Sequence, residues 1–374
     1  MKVLIAGGGT GGHLFPGIAL ARALVKKGCS PLFVGTSRGL EEEILRREGF
    51  PFLSLRVRGF IRKRVFEFKT ILFNLRSMLL LLVALSESFR ILLRERPRVV
   101  VGMGGYPSFP VLLTAWLMRR PTLICEQNLM PGLASRILSY FVDEVHIGFE
   151  ETRRFLRRRR EVFVSGNPVR REIVDSIPRK NSKRVETSIR REAKTVLLFG
   201  GSRGAHSINR AFLESLSFFP PSTFGKVRFI LQTGKDEFST VQSRIQGSLF
   251  EGWITLHPFI EKMGEVYGQA DLVVSRAGAT TCAEITAVGL PALLIPYPFA
   301  TEGHQMENAL YLKRKGAAEI LKNGDLSGER LARTILSLLQ DEGRLREMGR
   351  LSKSLGRTDA AERIADRIVK WLKE

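Results

Sequence analysis

The chain has 374 residues, enough for two domains of ordinary size, and 44% of them are apolar, which excludes a disordered or low-complexity chain. Lys and Arg number 59 against 37 Asp and Glu, and the resulting net charge of +22 implies an anionic partner: nucleic acid, acidic lipid or a phosphorylated substrate. Three widely spaced cysteines, Cys29, Cys125 and Cys282, follow no metal-ligand pattern, so a reducing compartment is expected and a metal site or disulfide framework is not.

The N-terminus enters a strand without a basic, apolar leader, and the longest apolar run, Met78 to Leu85, is shorter than the roughly 18 to 20 residues that span a bilayer, which predicts a soluble or peripheral protein. The opening stretch KVLIAGGGTGGH (Lys2 to His13) reads as strand, glycine loop and helix start. Backbone amides of such a loop, with a helix dipole behind them, can face an anion. Gly7, Gly9 and Gly12 formally satisfy the dinucleotide-binding spacing, but the second strand, Pro31 to Val34, runs into Gly35, Thr36 and Ser37 with no acid to hold a ribose, which argues against hydride transfer.

Further strands are predicted at Val99 to Val101, Thr122 to Cys125, Glu144 to Ile147 and Val162 to Ser165, alternating with helical patterns, so the first half reads as a parallel, doubly wound sheet. Two strand-end loops, GMGGYPS (Gly102 to Ser108) and EQNLMPG (Glu126 to Gly132), are polar or glycine-rich where ligands bind in such sheets. The segment from Arg56 to Arg98 carries 11 basic and 3 acidic residues among Phe60, Phe66, Phe68, Phe73 and the Met78 to Leu85 run. It suits an interfacial segment beside anionic lipid, the alternative being a core helix with a solvated basic end. From Glu151 to Lys194 the chain is polar and basic, and the interdomain connection is expected there. Its 6 arginines between Arg153 and Arg160 also suit nucleic acid, although no nucleic-acid-binding motif accompanies them.

The second half repeats the opening theme in KTVLLFGGSRGAHSINRAF, again strand, glycine loop and helix, with more strands expected at Arg228 to Gln232, Trp253 to Leu256, Leu272 to Ser275 and Ala292 to Pro296. Two similar sheet halves predict a ligand site between them. In SRAGATTCAEI a strand delivers Thr280, Thr281 and Glu284 to the first turns of a helix, where amides and hydroxyls can hold a diphosphate. Glu284 is either a ribose ligand or a stabilising acid near a helix N-terminus. Gln305 and Asn308, in HQMENA, offer uncharged partners for sugar hydroxyls, and amphipathic helices close the chain from Ser327 to Glu374.

GGGTGGH, GMGGYPS, EQN with its following Gly132, GNPVR, GGSRGA, PFIEKM, SRAGATTCAEI, GLPALLIPYP and HQMENA, in this order, closely resemble the motifs of the MurG family of glycosyltransferases over almost the whole chain. That family adds N-acetylglucosamine from its UDP donor to the lipid-linked muramyl-pentapeptide precursor of bacterial peptidoglycan. The resemblance implies an α/β GT-B fold of two Rossmann-like domains, with residues 1–165 binding acceptor and membrane, 166–345 binding the UDP-sugar, and 346–374 packing back on the first domain. By motif position, Ile260 would meet the uracil, Glu284 the ribose, and Ser202, Ala279, Thr280 and Thr281 the phosphates and their surroundings. Gln305 would hold sugar hydroxyls, and Arg170, Thr10, Gly11, Gly12 and Asn128 also match donor-binding positions, whereas Arg203 stands where some members carry Gln.

The implied reaction is an inverting attack of the acceptor's 4-hydroxyl, with His13 as candidate base or as a substrate-binding residue, because imidazoles as a class titrate near pH 6.5. Gly8, Gly9, Gly102, Gly104 and Gly105 would serve the acceptor diphosphate, and Glu126 would orient the acceptor sugar. No cofactor or metal is expected. The basic, apolar segment would dock the protein at the cytoplasmic face of the bacterial inner membrane, with anionic lipid and not nucleic acid as the partner of its charge. A transferase or epimerase of the same fold acting on another acceptor, such as diacylglycerol, is the nearest alternative, and a nucleic-acid binder the alternative from another class.

Overall fold

A computed structural model describes residues 1–8, 11–36, 41–60, 67–156, 161–177, 193–201, 204–223 and 225–373. The chain divides into two units, Met1–Pro168 with Asp359–Glu374, and Val169–Thr358.

In the first unit the strands are β1 (Lys2–Ala6), β2 (Ser30–Thr36), β3 (Phe52–Leu55), β4 (Val99–Gly102), β5 (Thr122–Glu126), β6 (Glu144–Ile147) and β7 (Val162–Val164). The helices are α1 (Gly11–Lys26), α2 (Glu41–Arg47), α3 (Phe68–Glu95), α4 (Ser108–Leu117) and α5 (Leu133–Leu138). Among the described residues the sheet is parallel throughout, in the order β3-β2-β1-β4-β5-β6-β7. Successive side chains of β1 feed opposite layers: Val3 and Ile5 pack with α1, Leu4 and Ala6 with Val111, Leu112 and Ala115 of α4. Strand order reverses between β1 and β4, so the loops leaving these two strands open side by side at the carboxyl edge, where ligands bind in sheets of this kind.

Helix α3 has its large apolar side chains on the outside. Thr70, Ser77, Ala84, Ser88 and Leu92 face inward, while Phe68, Ile71, Leu72, Leu75, Leu79 and Leu82 are exposed at helical spacing. By length and composition alone it is long and apolar enough to cross a membrane, yet its small-residue face packs against α4. The Met78 to Leu85 run therefore lies largely outside the core, which removes the core-helix alternative for its outward face.

The second unit has strands β8 (Lys194–Phe199), β9 (Val227–Gln232), β10 (Ile254–His257), β11 (Leu272–Ser275), β12 (Ala292–Leu294) and β13 (Ala318–Ile320). Its helices are α6 (Arg171–Ser176), α7 (His206–Ser215), α8 (Phe238–Ile245), α9 (Met263–Tyr267), α10 (Ala279–Val288), α11 (His304–Arg314), α12 (Gly328–Gln340) and α13 (Glu342–Leu355). The described strands form a second parallel sheet, β10-β9-β8-β11-β12-β13, whose order reverses between β8 and β11. Strands β3 and β13, not expected from the sequence, are short sheet edges of four and three residues, with too little apolar alternation to register.

The chain rejoins the first unit at Asp359, later than the expected residue 346: α13 remains in the second unit, where Lys353 donates to the Ala287 carbonyl. Only α14 (Ala360–Lys373) returns, burying Ile364, Ala365, Ile368 and Leu372 with Leu20 and Leu24 of α1. Its Arg367 pairs with the buried Glu144 and lies 4.6 Å from the centre of the Phe163 ring. His146 Nε2 is 3.2 Å from Glu144 Oε2, which also accepts from Arg367 Nε at 3.2 Å, and its Nδ1 is 2.6 Å from Ser165 Oγ. Burial pushes the Glu144 pKa up, but the bonds from His146 and Arg367 outweigh it and hold the carboxyl below its ordinary range. A carboxylate depressed in this way stabilises the fold above its ordinary pKa, near 4.3, and the contribution disappears as pH falls through the lower folded value. Arg367→Met should therefore cost about 1–3 kcal/mol at pH 7, and the difference from wild type in denaturant unfolding should shrink as the pH is lowered below about 4.

Candidate active site

At the reversal point of the first sheet, the loop after β1 and the loop after β4 are built against each other. Met103 N–H donates to the Ala6 carbonyl at 2.7 Å, and the Ser108 hydroxyl, with one proton to share, lies 2.8 Å from Ala6 O and 2.7 Å from Gly104 O. Gly104 and Gly105 both have positive φ, +85° and +76°, which glycine adopts without strain. A Cβ on Gly104 would lie 3.1 Å from Cε1 and Nδ1 of His13, and one on Gly105 3.3 Å from Cδ2. The bare backbone of this loop is thus the seat of the imidazole. Gly8, with φ +145°, is closed from the other side: a Cβ there would come within 2.6 Å of the buried Glu41 carboxylate. The chain beyond β2 does supply an acid, but it lies against the glycine loop's own backbone.

His13, in the first turn of α1, is half-buried, and Gln127, directly after β5, is 2% exposed. His13 Nδ1 is 3.1 Å from Gln127 Oε1, and Gln127 Nε2 donates to Met103 O at 2.9 Å and Cys125 O at 3.2 Å. Glu126, expected to orient an acceptor sugar, staples its own loop: Oε1 accepts from Asn128 N–H at 2.9 Å and Nδ2 at 3.3 Å, and Oε2 accepts from Gly132 N–H at 3.2 Å. Gly102 is the last residue of β4, between β1 and β5, and a Cβ there would strike Leu112 at 2.1 Å, so packing against α4 requires glycine at this position.

In the second unit, Gly278 caps α10, and Ala279, Thr280 and Thr281 form its first turn, where backbone N–H groups lack intrahelical acceptors. Glu284, one turn on, is 4% exposed. Its Oε1 accepts from Arg170 Nε at 3.0 Å and its Oε2 from the Tyr267 hydroxyl at 3.1 Å. Burial pushes the Tyr267 phenol well above its ordinary value, and the Glu284 charge adds to that, so the hydroxyl stays a donor. Among the described residues each carboxylate oxygen has one protein donor, and each retains lone-pair capacity for a ligand. Ile260 N–H donates to Gln232 Oε1 at 2.8 Å, while Gln232 Nε2 donates to the Gly201 carbonyl at 2.9 Å, tying the Ile260 segment to the glycine loop after β8.

Gln305 accepts the Tyr297 N–H on Oε1 at 2.9 Å, which turns its Nε2 away as a donor for a ligand. Asn308, read as a further sugar partner, is fully buried and donates to Ala277 O at 3.1 Å, so it supports the loop before α10. Buried Arg276 bonds Ile295 O, Asn323 Oδ1 and Ser207 Oγ at 3.0, 2.9 and 2.7 Å, joining three strand-end segments.

The structure thus brings Gly8, His13, Gly104 and Gly105 together in the first unit and Arg170 with Glu284 in the second, and keeps Ala279, Thr280 and Thr281 on one helical turn. Gly11 and Gly12 open α1 beside His13, and Asn128 is held by Glu126. Gly9, Thr10, Ser202 and Arg203 lie outside the described residues. Gln127, Gln232, Tyr267 and Arg276 were not singled out from the sequence; only the polar EQN run at a strand end pointed towards one of them.

Residues 3–147 match the glycosyltransferase family 28 N-terminal domain and residues 195–364 its C-terminal domain. A protein from Myxococcus xanthus is 42% identical, covering 98% of this chain and 92% of its own, and one from Chlorobium limicola is 39% identical with both chains fully covered. Both are described as UDP-N-acetylglucosamine--N-acetylmuramyl-(pentapeptide) pyrophosphoryl-undecaprenol N-acetylglucosamine transferases. The crystal structure of Acinetobacter baumannii MurG is similar with a TM-score of 0.75 and 27% identity, covering 99% of each chain. A Neisseria meningitidis UDP-GlcNAc 2-epimerase bound to UDP-GlcNAc, at TM-score 0.66 and 16% identity over 99% of this chain and 100% of the other, shares the fold. Within the second unit, Tyr267→Phe keeps the packing but leaves one buried carboxylate oxygen short of a donor, and urea unfolding at pH 7 should register a loss of about 1–3 kcal/mol.

Proposed function

This chain belongs to glycosyltransferase family 28 and transfers N-acetylglucosamine from UDP-N-acetylglucosamine to the lipid-linked muramyl-pentapeptide, and from that premise we propose which of its residues carry the reaction and at which surface it runs. The observation that carries the assignment is His13: a half-buried imidazole at the reversal point of the first sheet, whose one hydrogen bond among the described residues is at Nδ1.

In the proposed step, His13 Nε2 takes the proton of the acceptor's 4-hydroxyl as that oxygen attacks the anomeric carbon. The bond from that carbon to the UDP oxygen breaks, configuration inverts, and UDP leaves with the electron pair. Negative charge then grows on the diphosphate. The first-turn amides and hydroxyls of α10, at Ala279, Thr280 and Thr281, suit that charge because their dipoles are fixed before the reaction begins. Ribose hydroxyls donate to Glu284, which Arg170 and Tyr267 hold in place, the uracil lies at the Ile260 segment, and the Gln305 amide donates to a hydroxyl of the transferred sugar. The backbone at Gly8 and in the Gly104 loop would serve the acceptor's diphosphate, and Gly11 and Gly12, which open α1 beside His13, would meet the donor.

The acceptor's polyprenyl tail stays in lipid, so the protein must meet its substrate at a membrane. The outward apolar face of α3, with Lys69, Arg76, Arg90 and Arg94 on the same helix, suits a cytoplasmic leaflet: apolar side chains enter the headgroup boundary and cations meet anionic lipid. The net charge of +22 is then a membrane property, and nucleic acid is not needed to explain it.

Three measurements test these assignments. Labelled UDP-N-acetylglucosamine should pass label to the muramyl lipid and not to diacylglycerol; transfer to diacylglycerol alone would contradict the acceptor. His13→Ala should lower kcat by about 10²- to 10⁴-fold with KM little changed, and a loss confined to KM would make His13 a binding residue. Leu75→Glu with Leu79→Glu should abolish sedimentation with anionic vesicles but leave UDP binding intact; unaltered sedimentation would place the membrane contact elsewhere.

A further inference from the structure

Gln127 is a buried amide whose orientation is settled by its surroundings. Its Nε2 lies 2.9 Å from Met103 O and 3.2 Å from Cys125 O, and both of these are carbonyl oxygens, which only accept. The NH2 group must face them, because the reversed amide would set oxygen against two oxygens in a buried site and leave three acceptors without a donor. Oε1 is therefore the atom 3.1 Å from His13 Nδ1. Since Oε1 also only accepts, the proton of that contact belongs to Nδ1. In a neutral imidazole one nitrogen carries the proton and the other the lone pair, so the lone pair is on Nε2.

We infer that Gln127 is a positioning residue for the transfer, holding His13 in the Nδ1–H tautomer with Nε2 bare to accept the proton of the attacking hydroxyl. The inference rests on the reading of His13 as the base. The chain of constraint runs from rigid backbone inwards: Met103 follows β4, Cys125 belongs to β5, and Met103 is itself fixed by its N–H bond to Ala6 at the end of β1. Gly104 and Gly105 complete the seat, since any side chain there would displace the ring from the amide. An uncharged orienting group has a further consequence. When Nε2 takes the proton, the imidazolium still donates from Nδ1 to Gln127, but without the full charge a carboxylate would set there. The proton is then held less tightly and is more readily passed on for the next turnover.

The test joins a spectrum to kinetics. In protein labelled with nitrogen-15 at histidine, two-bond proton–nitrogen correlations at pH 8 should give His13 a protonated Nδ1 and a bare Nε2. Gln127→Leu should release the ring to its intrinsic preference for Nε2–H and lower kcat by about 10-fold or more, leaving KM within about twofold. Gln127→Met, which keeps the length of the side chain, should behave alike. A wild-type spectrum with Nε2–H, or a Gln127→Leu protein that keeps both the Nδ1–H form and full kcat, would overturn the inference. The two readings fail separately: full kcat in His13→Ala removes the base and this inference with it, whereas loss of kcat in His13→Ala combined with an Nε2–H wild type removes the role of Gln127 alone. Should neither Gln127 variant fold, the wild-type spectrum still decides.

Discussion

Two backbone carbonyls, Met103 O and Cys125 O, determine which way one buried amide faces, and through it which nitrogen of His13 can accept a proton. Everything that fixes those carbonyls belongs to the sheet: β4 and β5 are neighbours, and the loop after β4 is pinned to the end of β1 by Met103 N–H and Ser108. The geometry of the proposed base is thus inherited from the parallel sheet itself, the most buried part of the unit. Proton transfer depends steeply on distance and tautomer, and a side chain oriented by backbone hydrogen bonds loses little entropy on reaching its reactive form.

The second unit follows the same rule with different chemistry. Gln232 spans the glycine loop after β8 and the Ile260 segment, Arg276 joins the ends of three elements, and Arg170 with Tyr267 holds the two oxygens of Glu284. Gln232 and Arg276 thereby set the spacing of strand-end loops, and the Glu284 carboxylate ties α10 to α9 and to the start of α6. Such groups contribute modest net stability, but removing one partner exposes the full cost of desolvation, so these networks favour one arrangement of the loops.

The parallel strands of both sheets and the glycine loops at their ends were legible because continuous apolar runs and glycine clusters are local signals. Alternation with helices implied parallel, doubly wound sheets, but the strand order and the reversal points are set by long-range pairing and came from the structure. The edge strands β3 and β13 were not legible, since Ser54 and Glu319 interrupt runs that are already short, whereas the equally short β7 and β12 are wholly apolar. Roles depending on partners distant in sequence were also hidden. His13 and Gln127 are 114 residues apart, as are Arg170 and Glu284, and no local pattern reports such a pairing. For the same reason Asn308 looked available for ligand, although it donates to the Ala277 carbonyl 31 residues away. Basic residues among apolar ones marked the α3 region as interfacial, but only burial showed that its small residues face inward and its large ones outward.

That helix and the His13 seat belong to one compact unit, which therefore offers both the surface proposed to meet lipid and the group proposed to activate the acceptor. On that proposal an acceptor held by its tail in the bilayer is delivered to the unit that would deprotonate it, while the second unit would take the nucleotide sugar. The central claim is that His13 Nε2 receives the proton of the attacking hydroxyl. A crystal structure of the enzyme with UDP and a short-chain muramyl-pentapeptide acceptor measures this most directly: the account predicts the 4-hydroxyl oxygen within about 2.6–3.2 Å of Nε2. A 4-hydroxyl seated against Nδ1, or held by another side chain with Nε2 beyond hydrogen-bond reach, would contradict it.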